Sequence, residues 1–123
     1  MRRALGVTAL AVLAATILYT PTAFAKDGDV RVAGTCSAAS ASKLKLSRED
    51  AGVEVEFEVD QNRNGVRWQV VLLRNGSRVA SRTAVTRGPS GSFEARFVTS
   101  GAGRFVARAQ RPGERCAARA SFA

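Results

Sequence analysis

From Gly52 to Asp60 the chain alternates without interruption. Val53, Val55, Phe57 and Val59 fall on one face, and Glu54, Glu56, Glu58 and Asp60 on the other. A period of two predicts a strand with one buried side. Asp60–Gly65 then supplies turn residues, with Asn64-Gly65 suited to positive φ. Val66–Arg74 places Val66, Trp68, Val70 and Leu72 together. Asn75-Gly76 is a strong hairpin signal. Ser77–Thr86 returns with Val79 and Val85 on one face and Arg78 and Arg82 on the other. Trp68, the only tryptophan, sits mid-strand on an apolar face and is expected at the core centre.

The flanking segments repeat the pattern more weakly. Val30–Cys36 reads as one strand, and Lys43–Ser47 as another with Leu44 and Leu46 inward. Gly88-Pro89-Ser90-Gly91 is a break. Beyond it, Ser92–Val98 turns Phe93, Ala95 and Phe97 inward, and Gly103–Gln110 turns Phe105, Ala107 and Ala109 inward. After the Arg111–Glu114 turn, Arg115–Phe122 places Cys116, Ala118, Ala120 and Phe122 inward. No segment has a helical period. About seven short strands with turns between them predict an all-β chain folded as an antiparallel sandwich.

Strand order and spacing resemble an immunoglobulin-like or fibronectin-type sandwich. Trp68 is similar in position to the tryptophan of immunoglobulin strand C. Gly103-Arg104-Phe105-Val106-Ala107 resembles the opening of strand F. Phe105 stands where that pattern usually has Tyr, so the tyrosine-corner bond is lost. Ala107 stands where it usually has Cys, so the usual inter-sheet disulfide is lost. The resemblance implies a fold and carries no activity. The Arg, Ala and Gly bias resembles that of small exported proteins of GC-rich actinobacteria.

The N-terminus changes the expected compartment. Arg2-Arg3, an apolar run over Leu5–Tyr19 and Ala23-Phe24-Ala25 read as a signal peptide over residues 1–25. The general secretory route is expected, because neither a lipobox nor a full twin-arginine pattern is present. Removing 25 residues and two arginines from 123 residues of net charge +9 leaves 98 residues of net charge +7. That length suits one domain over residues 26–123, with no further membrane span. In an exported chain, Cys36 and Cys116 are expected to pair. The bridge would close a loop of about 80 residues and contribute roughly 4–5 kcal/mol on the chain-entropy account.

Candidate chemistry is sparse. The chain has no His, which excludes Ser-His and Cys-His catalysis. Ser40-Ala41-Ser42-Lys43 matches the Ser-x-x-Lys nucleophile pattern, but that pattern requires a helix in a far larger enzyme. Glu54, Glu56 and Glu58 are spaced about 7 Å apart, a separation that permits acid–base work, but they read as a solvated strand face. Asp60–Gly65 matches the front half of a calcium loop, with Val71 where the closing glutamate belongs; an Asx-type turn accounts for the same residues. Asn75-Gly76-Ser77 is a formal glycosylation sequon already explained by its hairpin. No catalytic residue, metal site or cofactor is expected.

Charge is the remaining signal. With strands paired as in the resembled fold, one sheet displays Glu54, Glu56, Glu58, Asp60 and Glu94, with Arg31 and Arg96 among them. The other displays Arg67, Arg78, Arg82, Arg104, Arg108, Arg115 and Arg119, with Val71, Leu73 and Val106. The expectation is a non-enzymatic binding module whose arginine face meets an anionic envelope polymer or an acidic protein. Phe57, Trp68, Phe93, Phe97, Phe105 and Phe122 all fall inward, which argues against specific nucleic-acid recognition. The competing expectation is a protease-inhibitor-like protein presenting Arg87–Gly91 or Arg111–Glu114.

Overall fold

The computed structural model describes Phe24, Ala25 and residues 28–123. The expected signal peptide lies outside the described residues, save Phe24–Ala25. The strands are β1 (Phe24–Ala25), β2 (Asp29–Ala33), β3 (Thr35–Cys36), β4 (Ala41–Glu49), β5 (Gly52–Asp60), β6 (Arg67–Arg74), β7 (Ser77–Val85), β8 (Ser92–Thr99), β9 (Gly103–Arg111) and β10 (Glu114–Phe122). They form two antiparallel sheets, ordered β1-β2-β4-β5-β8 and β3-β10-β9-β6-β7. We call these sheet A and sheet B. β1 pairs Phe24 with Val30 and Ala25 with Asp29.

The alternating segments bury the faces their patterns predict. Val53, Val55, Phe57 and Val59 of sheet A pack with Trp68, Val70, Leu72, Phe105 and Ala107 of sheet B in one core. Trp68 is fully buried, and its ring lies 5.9 Å from that of Phe93. Its indole N–H donates to Gln61 Oε1 at 3.0 Å, so the one polar atom of the core's largest side chain is satisfied.

Asn75 and Gly76 both adopt positive φ and close the β6–β7 hairpin as its sequence predicts. The Asn75 side-chain oxygen also accepts from Arg104 N–H at 2.9 Å, tying the hairpin to β9.

The expected single strand Val30–Cys36 divides instead. β2 pairs with β4 of sheet A, while β3 pairs with β10 of sheet B. The crossing is at Gly34, whose N–H donates to Ser42 C=O at 2.8 Å. A Cβ there would run into Ser42 Oγ and stand 2.6 Å from Ala117 C=O, so the crossing needs a residue without a side chain. Cys36 and Cys116 are direct cross-strand partners and form the expected disulfide. At this edge the chain thus runs directly from sheet A into sheet B, and the disulfide fixes its β3 end to β10 within sheet B.

The opposite edge corrects the expectation for β7. Trp68, Val70 and Leu72 pair with Ala84, Arg82 and Ala80, so Arg82 lies in the inward-facing row. Its guanidinium sits over the Phe97 ring, 4.7 Å from the centroid. Between Leu72 and Leu73 the register shifts, leaving Val79 as the extra residue. Val79 is 40% exposed, and Val85 pairs with outward Arg67. The bulge restores Arg78 to the outer face, opposite Leu73.

Candidate functional site

The outer face of sheet B gathers Arg67, Arg78, Arg104, Arg108, Arg115 and Arg119, all exposed. Arg82 is the one expected member that the fold removes. The cross-strand partners set the pattern. Arg108 lies between Ala117 and Val71, Arg119 faces Val106, Arg115 faces Gln110, and Arg104 faces Ser121. Arg78 faces Leu73, and Arg67 faces Val85. No arginine of this face stands directly opposite another, an arrangement that would be destabilising. Val71, Leu73 and Val106 form a half-buried apolar floor between the charges.

Among the described residues, none of these guanidinium groups has a carboxylate within salt-bridge distance. The reason is topological: no Asp or Glu falls at an outward position of β6, β7, β9 or β10. Grooves run between the arginines. One of about 500 Å³ lies beside Arg108 and Arg115. One of about 430 Å³ lies beside Arg104 and Arg119, and one of about 290 Å³ lies between Arg108 and Arg119.

Sheet A presents a different surface. Arg96 reaches Glu56 at 3.0 Å, Glu94 at 3.4 Å and Glu54 at 3.6 Å. Lys45 bridges Asp29 at 3.8 Å and Glu56 at 3.9 Å, and Lys43 reaches Glu58 at 3.6 Å. The Glu56 pKa is raised: its hydrogen bond with Glu54 contributes most and burial adds, while Lys45 and Arg96 pull the other way. Every carboxylate of the Glu54-Glu56-Glu58 row is therefore held by a cation. Lys43 and Lys45 were legible as outward residues of β4, because Leu44 and Leu46 point inward.

The remaining candidates are tied into the fold. Asp60 Oδ1 accepts from Asn62 N–H at 3.1 Å, the Asx-type turn. Two further oxygens of that loop are engaged, Gln61 Oε1 by Trp68 and the Arg63 carbonyl by the Thr86 hydroxyl at 2.6 Å.

The Arg111–Glu114 turn directs its charged side chains inward. Glu114 is 3% exposed and accepts from Ser40 N–H at 2.9 Å, Ser40 Oγ–H at 2.7 Å and Arg111 Nη2 at 3.3 Å. Burial would push the Glu114 carboxyl up, but the Ser40 hydroxyl, the Ser40 amide and Arg111 together hold it below its ordinary value. Arg111 also lies over Trp68, 5.4 Å from the ring centroid. The signal was in the sequence: Glu114 shares the parity of Cys116 and Ala118 along β10. Glu114 also lies near the cysteines, but both sulfurs are spent in the disulfide.

The Arg87–Gly91 loop is pinned at its base. Arg87 N–H donates to Ser92 C=O at 2.9 Å, and Gly91 N–H to Arg87 C=O at 2.9 Å. Arg87, Gly88, Pro89 and Ser90 are exposed on it. Among the described residues no helix is long and apolar enough to cross a membrane. No protein-family model, curated protein or solved structure matches the chain.

Proposed function

We propose that this chain is an exported, non-enzymatic binding module, residues 26–123 forming one domain that holds an anionic partner on the outer face of sheet B. The observation that carries the reading is the arginine face without carboxylates of its own. Guanidinium groups left with solvent counterions are available to phosphate or carboxylate groups, which they bind in a fork geometry. An anionic envelope polymer or an acidic protein fits that surface. A non-enzymatic role is supported by the missing histidine and by the engagement of Glu54, Glu56 and Glu58 in ion pairs. The division of the long strands into β4-β5-β8 and β10-β9-β6-β7 supports the likeness to a fibronectin-type sandwich. The leader-like N-terminus supports the general secretory route.

The test is charge reversal of Arg67, Arg104 and Arg108 together, followed by capture of partners from the producing cell's envelope with salt elution. Loss of the retained polymer or protein, with an unchanged melting temperature, is the expected outcome. Retention at the native salt concentration would overturn the proposal.

A second reading rests on the pinned Arg87–Gly91 loop, a shape suited to presentation to a protease. If it holds, a single cut within the loop abolishes partner binding while the arginine variants leave it intact.

A further inference from the structure

The arginines of β9 and β10 are evenly spaced. Arg115 stands opposite Gln110 and Arg119 opposite Val106. Measured along β9, the charges therefore fall level with residues 110, 108, 106 and 104, alternating between the strands as Arg115, Arg108, Arg119 and Arg104. Two residues of strand rise about 6.8 Å, and the strands lie about 4.8 Å apart. The result is a zigzag ladder of single positive charges with a constant axial step. The arginine-lined grooves of sheet B lie along it, between β3 and β6.

We propose that this ladder binds a linear polyol phosphate polymer, one phosphodiester to each arginine, laid along the β9–β10 pair. The proposal rests on the arginine-face reading above and names its ligand class. Phosphates bridged by a three-carbon polyol are six skeletal bonds apart, as many as in two peptide residues, and span about 7 Å when extended. That step matches the ladder. Inorganic polyphosphate repeats every two bonds and is too dense. Each phosphodiester carries one charge, which one guanidinium neutralises through paired hydrogen bonds. A nucleic-acid backbone has a similar step, but its bases would find no stacking surface. Phe57, Trp68, Phe93, Phe97, Phe105 and Phe122 are all buried.

The test separates spacing from charge. The double variant R108Q with Q110R keeps composition and net charge but sets two arginines abreast, at 110 and 115, and empties the next rung. R119S with S121R does the same on β10, opposite Arg104. R104Q with R108Q removes charge outright. All these side chains are exposed, and a thermal melt of each variant checks folding. Binding of the oxidised full chain is measured against poly(glycerol phosphate), an oligonucleotide and inorganic polyphosphate of matched charge, over a salt series.

The native chain is expected to prefer poly(glycerol phosphate), with a log–log salt slope of about −3 for the rungs of the ladder. Either swap should weaken binding about fivefold or more and reduce the slope by about one. If the swaps bind like the native chain while R104Q with R108Q weakens binding, the spacing argument fails and the basic face survives. If R104Q with R108Q also binds unchanged, the arginine-face reading itself fails. Tighter binding to the oligonucleotide or to inorganic polyphosphate overturns the choice of polymer.

Discussion

The two outer faces of the sandwich use the same chemical groups to opposite ends. On sheet A, Arg96, Lys43 and Lys45 lie over the row of Glu54, Glu56 and Glu58, and charge is neutralised within the chain. On sheet B the arginines meet only neutral neighbours, and their charge is left to the solvent. Composition alone does not separate these cases. Register does, because it decides which side chains stand across from which. On sheet A, Lys43 stands across from Glu58, and Lys45 and Arg96 across from Glu56; on sheet B no outward arginine has a charged cross-strand partner.

The largest effect is expected from reversing Arg67, Arg104 and Arg108 together, with partner affinity falling about a hundredfold at low salt. Stability should change little, since exposed substitutions away from special contacts stay within about 0.5 kcal/mol each. A chemical denaturation curve run beside the binding assay checks both halves.

Gly34→Ala tests whether the two faces depend on their shared strand. Its Cβ would overlap Ser42 and crowd the Ala117 carbonyl, with an expected cost of about 1–3 kcal/mol. A melt equal to that of the native chain would mean that β2 and β3 can part without consequence.

Glu114→Gln is expected to cost about 1–2 kcal/mol at neutral pH, by weakening the bonds from Ser40 and Arg111. The lowered pKa gives the sign of the pH effect. Glu114 stabilises fully above the ordinary glutamate pKa, and that contribution is lost as pH falls through its lowered folded value. The variant and native chains should therefore converge in acid. Glu56 acts the other way. Its folded pKa is raised, so it opposes folding above that value, and the penalty fades as pH falls from there to below the ordinary glutamate value.

The smallest effect belongs to Arg96→Ala, which opens the sheet A network. Arg96 is well exposed, so a slight loss of melting temperature that disappears at high salt is expected, with partner binding unchanged. A fall in binding would contradict the division between the faces.

Much of this was legible in the residues, and the exceptions have physical causes. β5, β6, β8, β9 and β10 each have a covered inner face, so hydrophobic alternation reports their orientation directly. β7 is an edge strand with no residue buried, so Val79 and Val85 carried no information about its inner face. Its bulge then changes the parity between Arg78 and Arg82, and no local pattern announces that change. The division of Val30–Cys36 was hidden for another reason. Alternation continues through Gly34, and only the close approach of Ser42 and Ala117 reveals that the chain has changed sheets. Four of the six outer-face arginines lie on β9 and β10, well-patterned strands whose alternation reports their orientation directly.

The joined edge has a consequence for motion. β2 and β3 span both sheets beside the Cys36–Cys116 bridge, while β7 and β8 end their sheets on the far side. There the chain crosses between the sheets through residues 86–91 and the Arg82–Phe97 contact spans the two strands, with no disulfide to hold them. The molecule is a book with a spine and a fore-edge. Opening should begin at the fore-edge, so amide protons of β7 should exchange with solvent faster than those of β10. The arginine ladder, carried by β9 and β10, lies toward the spine, on the part of sheet B expected to open last.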